Sequence, residues 1–169
     1  MVAVNEEGPR TLPGPVAVQR AGYALARGNL VETVNHARRA LDLAPEDDRL
    51  TRGGATALMG LAAWANGDLE TAYRSYADGM ADVQRGGHLS GTVGRAITLA
   101  DIRVAQGRLG DAMRIYELAL QLAREQGGPV VRGTANMYIG LSELQCERNE
   151  LDAATQSLLT SQELGEQSG

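Results

Sequence analysis

The chain has no lysine and no phenylalanine, and it carries one cysteine, one tryptophan and two histidines. Each shortage closes off a class of function. Without lysine, every cation apart from the histidines is an arginine, and the formal charge is −5. A segment that grips nucleic acid needs clustered Lys and Arg to neutralise phosphates, so no direct nucleic-acid contact is expected here. Arg38-Arg39 is the only adjacent basic pair. It reads as helix-end chemistry, because cations are favoured near a helix C-terminus, and Glu46-Asp47-Asp48 reads the same way at the start of the following helix. The lone Cys146 excludes an intramolecular disulfide framework and fits a reducing compartment, so a cytoplasmic location is expected. It reads as a small apolar helix residue rather than a reactive thiol. His36 and His88 have no cysteine or carboxylate pair at metal-ligand spacing. There is no Gly-x-Ser-x-Gly elbow, and Gly53-Gly54 and Gly86-Gly87 lack the spacing and the lysine of a phosphate loop. No enzyme activity, cofactor or metal is therefore expected. No apolar run approaches the ~20 residues a membrane helix needs. The stretch from Met1 to Arg10, with Glu6-Glu7, lacks the basic start and apolar run of a signal peptide. Strand signals are missing as well, since no strict alternation extends beyond a few residues.

What the chain does have is a repeat. Gly28-Asn29-Leu30, Gly67-Asp68-Leu69, Gly107-Arg108-Leu109 and Asn149-Glu150-Leu151 place their leucines 39, 40 and 42 residues apart. A fixed period of this size marks stacked supersecondary units. Nine residues before each leucine stand Ala21, Gly60, Ala100 and Ser142. Three after it stand Thr33, Ala72, Ala112 and Ala154; seven after, Ala37, Tyr76, Tyr116 and Leu158; ten after, Ala40, Gly79, Ala119 and Ser161. The forward offsets share one face of a helix of 3.6-residue period. Small residues at fixed offsets let two backbones approach, and the larger residue between them fills the seam. Each unit thus reads as a helix A, a tight turn and an antiparallel helix B.

Punctuation sets the spans. Pro15 suits a first helical turn, and Pro45 ends a helix B. Gly86-Gly87 ends the next, with Ser90 as a cap for the helix that follows. Gly127-Gly128 ends the third helix B, and Pro129 opens the fourth helix A. The expected helices are 15–27, 30–43, 48–66, 69–85, 90–106, 109–126, 129–148 and 151–166. Gly22, Gly60, Gly94, Gly133 and Gly140 then fall inside helices. There glycine costs roughly 1 kcal/mol relative to alanine, and close helix–helix approach is the reading for it. At 169 residues the chain is one domain's worth. Residues 1–12 read as a tail or linker, and 13–169 as a repeat domain with units at about 15–45, 48–86, 89–127 and 129–167. Glu143 and Glu147 form a carboxylate pair at i, i+4, which is a solvated face in water, or a cation or hydroxyl site in a groove.

With these offsets laid out, the chain resembles tetratricopeptide repeats. The small residues Ala21, Gly60, Ala100 and Ser142, the alanines Ala72, Ala112 and Ala154, the aromatics Tyr76 and Tyr116, the alanines Ala40 and Ala119, and Pro45 all meet the family pattern. The period exceeds the family's usual 34 or so, and Ala17, Thr56, Ala96 and Tyr138 stand where its tryptophan would be. HEAT repeats share the longer period, but no helix A here has their internal proline. The resemblance implies an all-α, right-handed superhelix (an α-solenoid) of about four antiparallel helix pairs. The Gly-Asp-Leu and Gly-Arg-Leu turns and phrases such as Gly60-Leu61-Ala62-Ala63-Trp64, over roughly residues 13–169, look like the sensor region of MalT-like, LuxR-type bacterial transcription regulators. In that family an ATP-binding module precedes the repeats and a helix-turn-helix domain follows them, which gives this chain the look of an excised middle segment. The resemblance implies a protein partner or small-molecule inducer in the concave groove of the helix A face. Trp64, Ile97, Asp101, Asn136, Ile139, Glu143 and Glu147 are its candidate contacts. Self-association through the open repeat ends is a further expectation. A chaperone-type clamp for a peptide carboxylate is not expected, because lysine is absent and Gly22, Leu61, Asp101 and Glu143 occupy the relevant helix A position. The alternative reading is a free-standing protein–protein adaptor.

Overall fold

A computed structural model describes residues 13–87, 89–125 and 133–167, with backbone only for 89–94 and 166–167. The described residues form eight α-helices and no strand. These are α1 (Pro13–Ala26), α2 (Leu30–Leu43), α3 (Arg49–Ala65), α4 (Leu69–Arg85), α5 (Leu89–Ala105), α6 (Leu109–Glu125), α7 (Thr134–Glu147) and α8 (Leu151–Gln167). They fall into two compact units, residues 1–88 and 89–169. In the first, α1 packs on α2, α3 on α4, and both α1 and α2 on α3. In the second, α5 packs on α6, α7 on α8, and α7 on both α5 and α6.

The four turns inside the pairs are built alike. Gly28, Gly67, Gly107 and Asn149 have φ of 74°, 84°, 72° and 60°. At each turn the left-handed residue's N–H bonds three residues back, as Gly67 does to the Trp64 carbonyl at 2.9 Å. The next N–H reaches five back, as Asp68 does to Ala63 at 3.0 Å. This is a Schellman ending, which satisfies the last carbonyls of helix A. The residue after it then starts helix B. Asn29 accepts from the Glu32 N–H at 3.1 Å and Asp68 from the Thr71 N–H at 3.0 Å. The recurring leucine is the first helical residue, so the Gly-x-Leu signature is a helix stop, a cap and a helix start in three residues.

Across the seams, the residues at the repeating offsets are buried, with one exception. Ala21, Ala37, Ala40, Ala72, Ala100, Ala112 and Thr33 are fully buried, and Tyr76 and Tyr116 are 5% and 3% exposed. Leu158 is 49% exposed, because among the described residues no helix follows α8 to cover that face. Three further expectations are corrected. Gly133 is not inside a helix: it precedes α7 with φ 96°. Ser90 is not a cap, because α5 already begins at Leu89. Gly22 has open space where a Cβ would be, so close approach does not explain it. Cys146 lies on α7, the fourth helix A, as expected, and is exposed. His88, Gly127-Gly128, Pro129 and the tail 1–12 lie outside the described residues. Among the described residues, no helix is long and apolar enough to cross a membrane.

Candidate functional site

In the second unit three helices present one face each to a shared cavity. On α7, Gly140, Glu143, Leu144 and Glu147 recur at helical spacing and therefore share one side. On α5, Asp101 and Val104 do the same, and α6 contributes Leu109 and Tyr116. Together these residues line a cavity of about 480 Å³. Its walls are the apolar side chains of Val104, Leu109 and Leu144, and its charge comes from three carboxylates. Tyr116, at 3% exposure, closes it from α6.

The tyrosine depends on the glycine beneath it. A Cβ on Gly140 would collide with the Tyr116 hydroxyl and sit 2.6 Å from its Cζ. Gly140 thus makes room for a ring from the neighbouring helix. The Tyr116 hydroxyl donates to Asp101 Oδ1 at 3.4 Å, longer than the ~2.5–3.0 Å usual for O–H···O. Burial pushes the Asp101 carboxyl above the usual carboxylate range. The Tyr116 hydrogen bond opposes this, and the negative Glu143 reinforces it. Burial likewise pushes the Tyr116 phenol up, helped by Asp101 and Glu143. Among the described residues, no ion pair engages Asp101, Glu143 or Glu147. Nor does any group of His, Cys, Asp or Glu there converge as a metal site. An apolar cavity whose polar groups are mostly acceptors suits a group that donates hydrogen bonds or carries positive charge.

The sequence-derived candidates therefore divide. Asp101, Glu143 and Glu147 come together. Ile97 is half-buried on α5, while Asn136 and Ile139 are exposed on α7, and none of the three lines this cavity. Trp64 is half-buried on α3 and belongs to the first unit. Tyr116 and Gly140 are members of the site that the sequence reading had placed only in the packing. The signal for them was the glycine at a helix A position facing the preceding unit's tyrosine, a pairing that spans two repeats.

The family model described as "MalT-like TPR region" matches residues 14–169. No curated protein matches the chain. Among solved structures, the apo form of RapI is similar over 98% of this chain and 59% of that one, with a TM-score of 0.78 and 10% identity. The MamA crystal structure is similar over 92% of this chain and 80% of that one, with a TM-score of 0.69 and 12% identity. At these identities the likeness is one of fold. The chain spans less than two thirds of the RapI chain.

Proposed function

The chain belongs to the MalT-like tetratricopeptide repeat family, and on that premise we propose that it is the ligand-sensing or protein-interaction module of a larger LuxR-type transcription regulator, without DNA-binding or ATP-binding machinery of its own. The observation that carries this reading is the family match, which runs across all the described helices. The cavity of Asp101, Tyr116, Glu143 and Glu147 is the proposed contact for a small-molecule inducer or a partner side chain, with Ile97, Asn136 and Ile139 as further proposed contacts of the second unit, and Trp64 is a proposed contact of the first. The module acts in the cytoplasm and has no catalytic role.

The coding sequence on either side of this segment tests the proposal. A nucleotide-binding loop upstream and a helix-turn-helix downstream are expected, and the absence of both would overturn the regulator context. The expected absence of DNA binding is tested by titrating the chain with duplex DNA at moderate salt. Tight binding that weakens steeply with added salt would contradict it. A second reading, a free-standing adaptor, draws support from exposed apolar side chains: Leu118 and Leu151 are 60% and 58% exposed. Such residues suit a protein surface as a partner.

A further inference from the structure

The first unit holds a cavity of about 520 Å³ where α2 meets α3 and α4. Its origin is visible in the repeat register. Seven and six residues before the turn leucine, α5 carries Ile102-Arg103 and α7 carries Leu144-Gln145. Ile102 and Leu144 are 0% and 4% exposed, so bulky side chains fill those places in the second unit. In α3 the same two positions are Ala62 and Ala63, and both border the cavity. Two small side chains at these positions leave room against α2.

The residues around this space also depart from the other repeats. One residue after the leucine, the units carry Val31, Glu70, Gly110 and Asp152. Only the α1–α2 pair places an apolar side chain there, and Val31 is 72% exposed at the cavity. Val34 and Met59 extend the apolar wall. Eight residues after the leucine stand Arg38, Ala77, Glu117 and Leu159, so the cation at this register is unique to the cavity. Arg38 does not serve the helix end, since α2 runs on to Leu43 with no basic residue in its last turn. Among the described residues it makes no ion pair or hydrogen bond. The one carboxylate bordering the cavity, Asp68, is already engaged as the cap of α4. Hydrogen bonds from the Thr71 side chain and N–H hold its carboxyl below the usual carboxylate range. Asp68 keeps its negative charge but directs it to the α4 cap, so of the two charged groups at the cavity Arg38 is the one without a partner among the described residues.

We infer that this cavity binds a small amphipathic carboxylate. The alkyl part lies on Val31, Val34 and Met59 over the two alanines, the carboxylate pairs with the Arg38 guanidinium, and the Asn35 and Asn66 amides supply further donors. The volume falls in the ~300–1,000 Å³ range of small-molecule sites, and the lining divides between an apolar wall of Leu30, Val31, Val34 and Met59 and a polar rim. A planar guanidinium matches a carboxylate through paired hydrogen bonds, which a neutral head group does not reproduce.

The test is a titration of the whole chain with octanoate and, separately, with neutral octanol, followed by calorimetry. Saturable octanoate binding at one site is expected. Arg38→Gln should weaken octanoate by about tenfold or more while changing octanol little. Ala63→Leu, which restores a large side chain at the open position, should abolish binding of both. Val31→Glu, which installs at an exposed position the residue type of Glu70, gives the same loss without touching the core. No saturable octanoate binding at millimolar concentration would overturn the inference, as would equal octanoate affinity in Arg38→Gln. Tight binding of a peptide's C-terminal carboxylate with none of octanoate would overturn it too. None of these outcomes bears on the regulator reading, which is tested on the flanking coding sequence and on DNA.

Discussion

The α3–α4 pair of the first unit and the α7–α8 pair of the second share a register but close their seams by opposite means. In α3–α4 the backbones touch. A Cβ on Gly53 would sit 2.6 Å from the Gly79 carbonyl oxygen, and one on Gly79 would sit 2.6 Å from the Gly53 oxygen and 2.9 Å from the Ala57 nitrogen. At the equivalent places in α7–α8 stand Ala135 and Ser161. There the Ser161 hydroxyl donates to the Ala135 carbonyl at 2.9 Å. One pair gains contact by deleting side chains; the other makes it through a hydroxyl that bonds the opposing backbone. One ion pair joins the first pair, Arg49 of α3 to Asp82 of α4 at 2.9 Å, while Arg85 of α4 holds the same carboxylate at 3.0 Å within its own helix, although partly exposed pairs of this kind contribute little. The lesson is that a repeat register fixes where helices meet and leaves open how the meeting is made, so ligand space arises where one unit departs from its siblings.

The largest expected effect belongs to the ring that fills the second unit. Tyr116→Ala should cost about 3–5 kcal/mol in chemical denaturation, and a loss below about 1 kcal/mol would remove Tyr116 from the core. In the first unit Gly79→Ala forces a methyl against backbone atoms that cannot rotate away, and about 1–3 kcal/mol of destabilisation is expected despite alanine's better helix propensity. Its counterpart Ser161→Ala should cost about 1 kcal/mol, the worth of one hydrogen bond. Similar small losses at both sites would erase the distinction between the two seams. Gly22→Ala sharpens the comparison by reversing the sign. Nothing lies within 4 Å of a Cβ there, so the helix propensity gain of about 0.5–1 kcal/mol should appear as added stability.

The smallest effect is a pH dependence at Asp101. Its folded-state pKa is raised, chiefly by burial, so between the unfolded and folded values the native chain holds a proton that the unfolded chain has released. Stability from this group is present at low pH and falls as pH rises through the folded value. Asp101→Asn should therefore melt no lower than the parent at neutral pH, and its stability should lack that decline. A clear drop in melting temperature for Asp101→Asn would mark the ionised carboxylate as structural.

The helices were legible because turn chemistry is local. Gly28, Gly67 and Gly107 supply the left-handed residue, Asn29 and Asp68 supply the caps, and these turns place the starts of α2, α4 and α6 at the expected leucines; seven of the eight helices start within about two residues of expectation. The exception, α7, begins at Thr134 after a left-handed Gly133 rather than at Pro129, and nothing in the sequence told an interior glycine from one preceding the helix. Burial was legible wherever the repeat supplies its own neighbour, as for Tyr76 and Tyr116, and it failed at Leu158, where none of the described helices provides one. The carboxylates Asp101, Glu143 and Glu147 were nominated from helical spacing, but their convergence depends on Gly140 admitting Tyr116, a contact between residues of different repeats. The first-unit cavity was invisible for the same reason, because Ala62 and Ala63 look like ordinary small seam residues until Ile102 and Leu144 show what the register otherwise holds.

The central claim is that departures from the repeat, not the repeat itself, mark where this chain binds. Titrating an isotopically labelled sample with octanoate and following its methyl and amide signals by NMR tests that most directly. The account predicts saturable shifts confined to the first-unit cavity, at Val31, Val34, Met59, Ala62 and Ala63, that vanish in Val31→Glu. Shifts centred on Asp101, Tyr116 and Glu143, or the absence of any saturable shift, would contradict it.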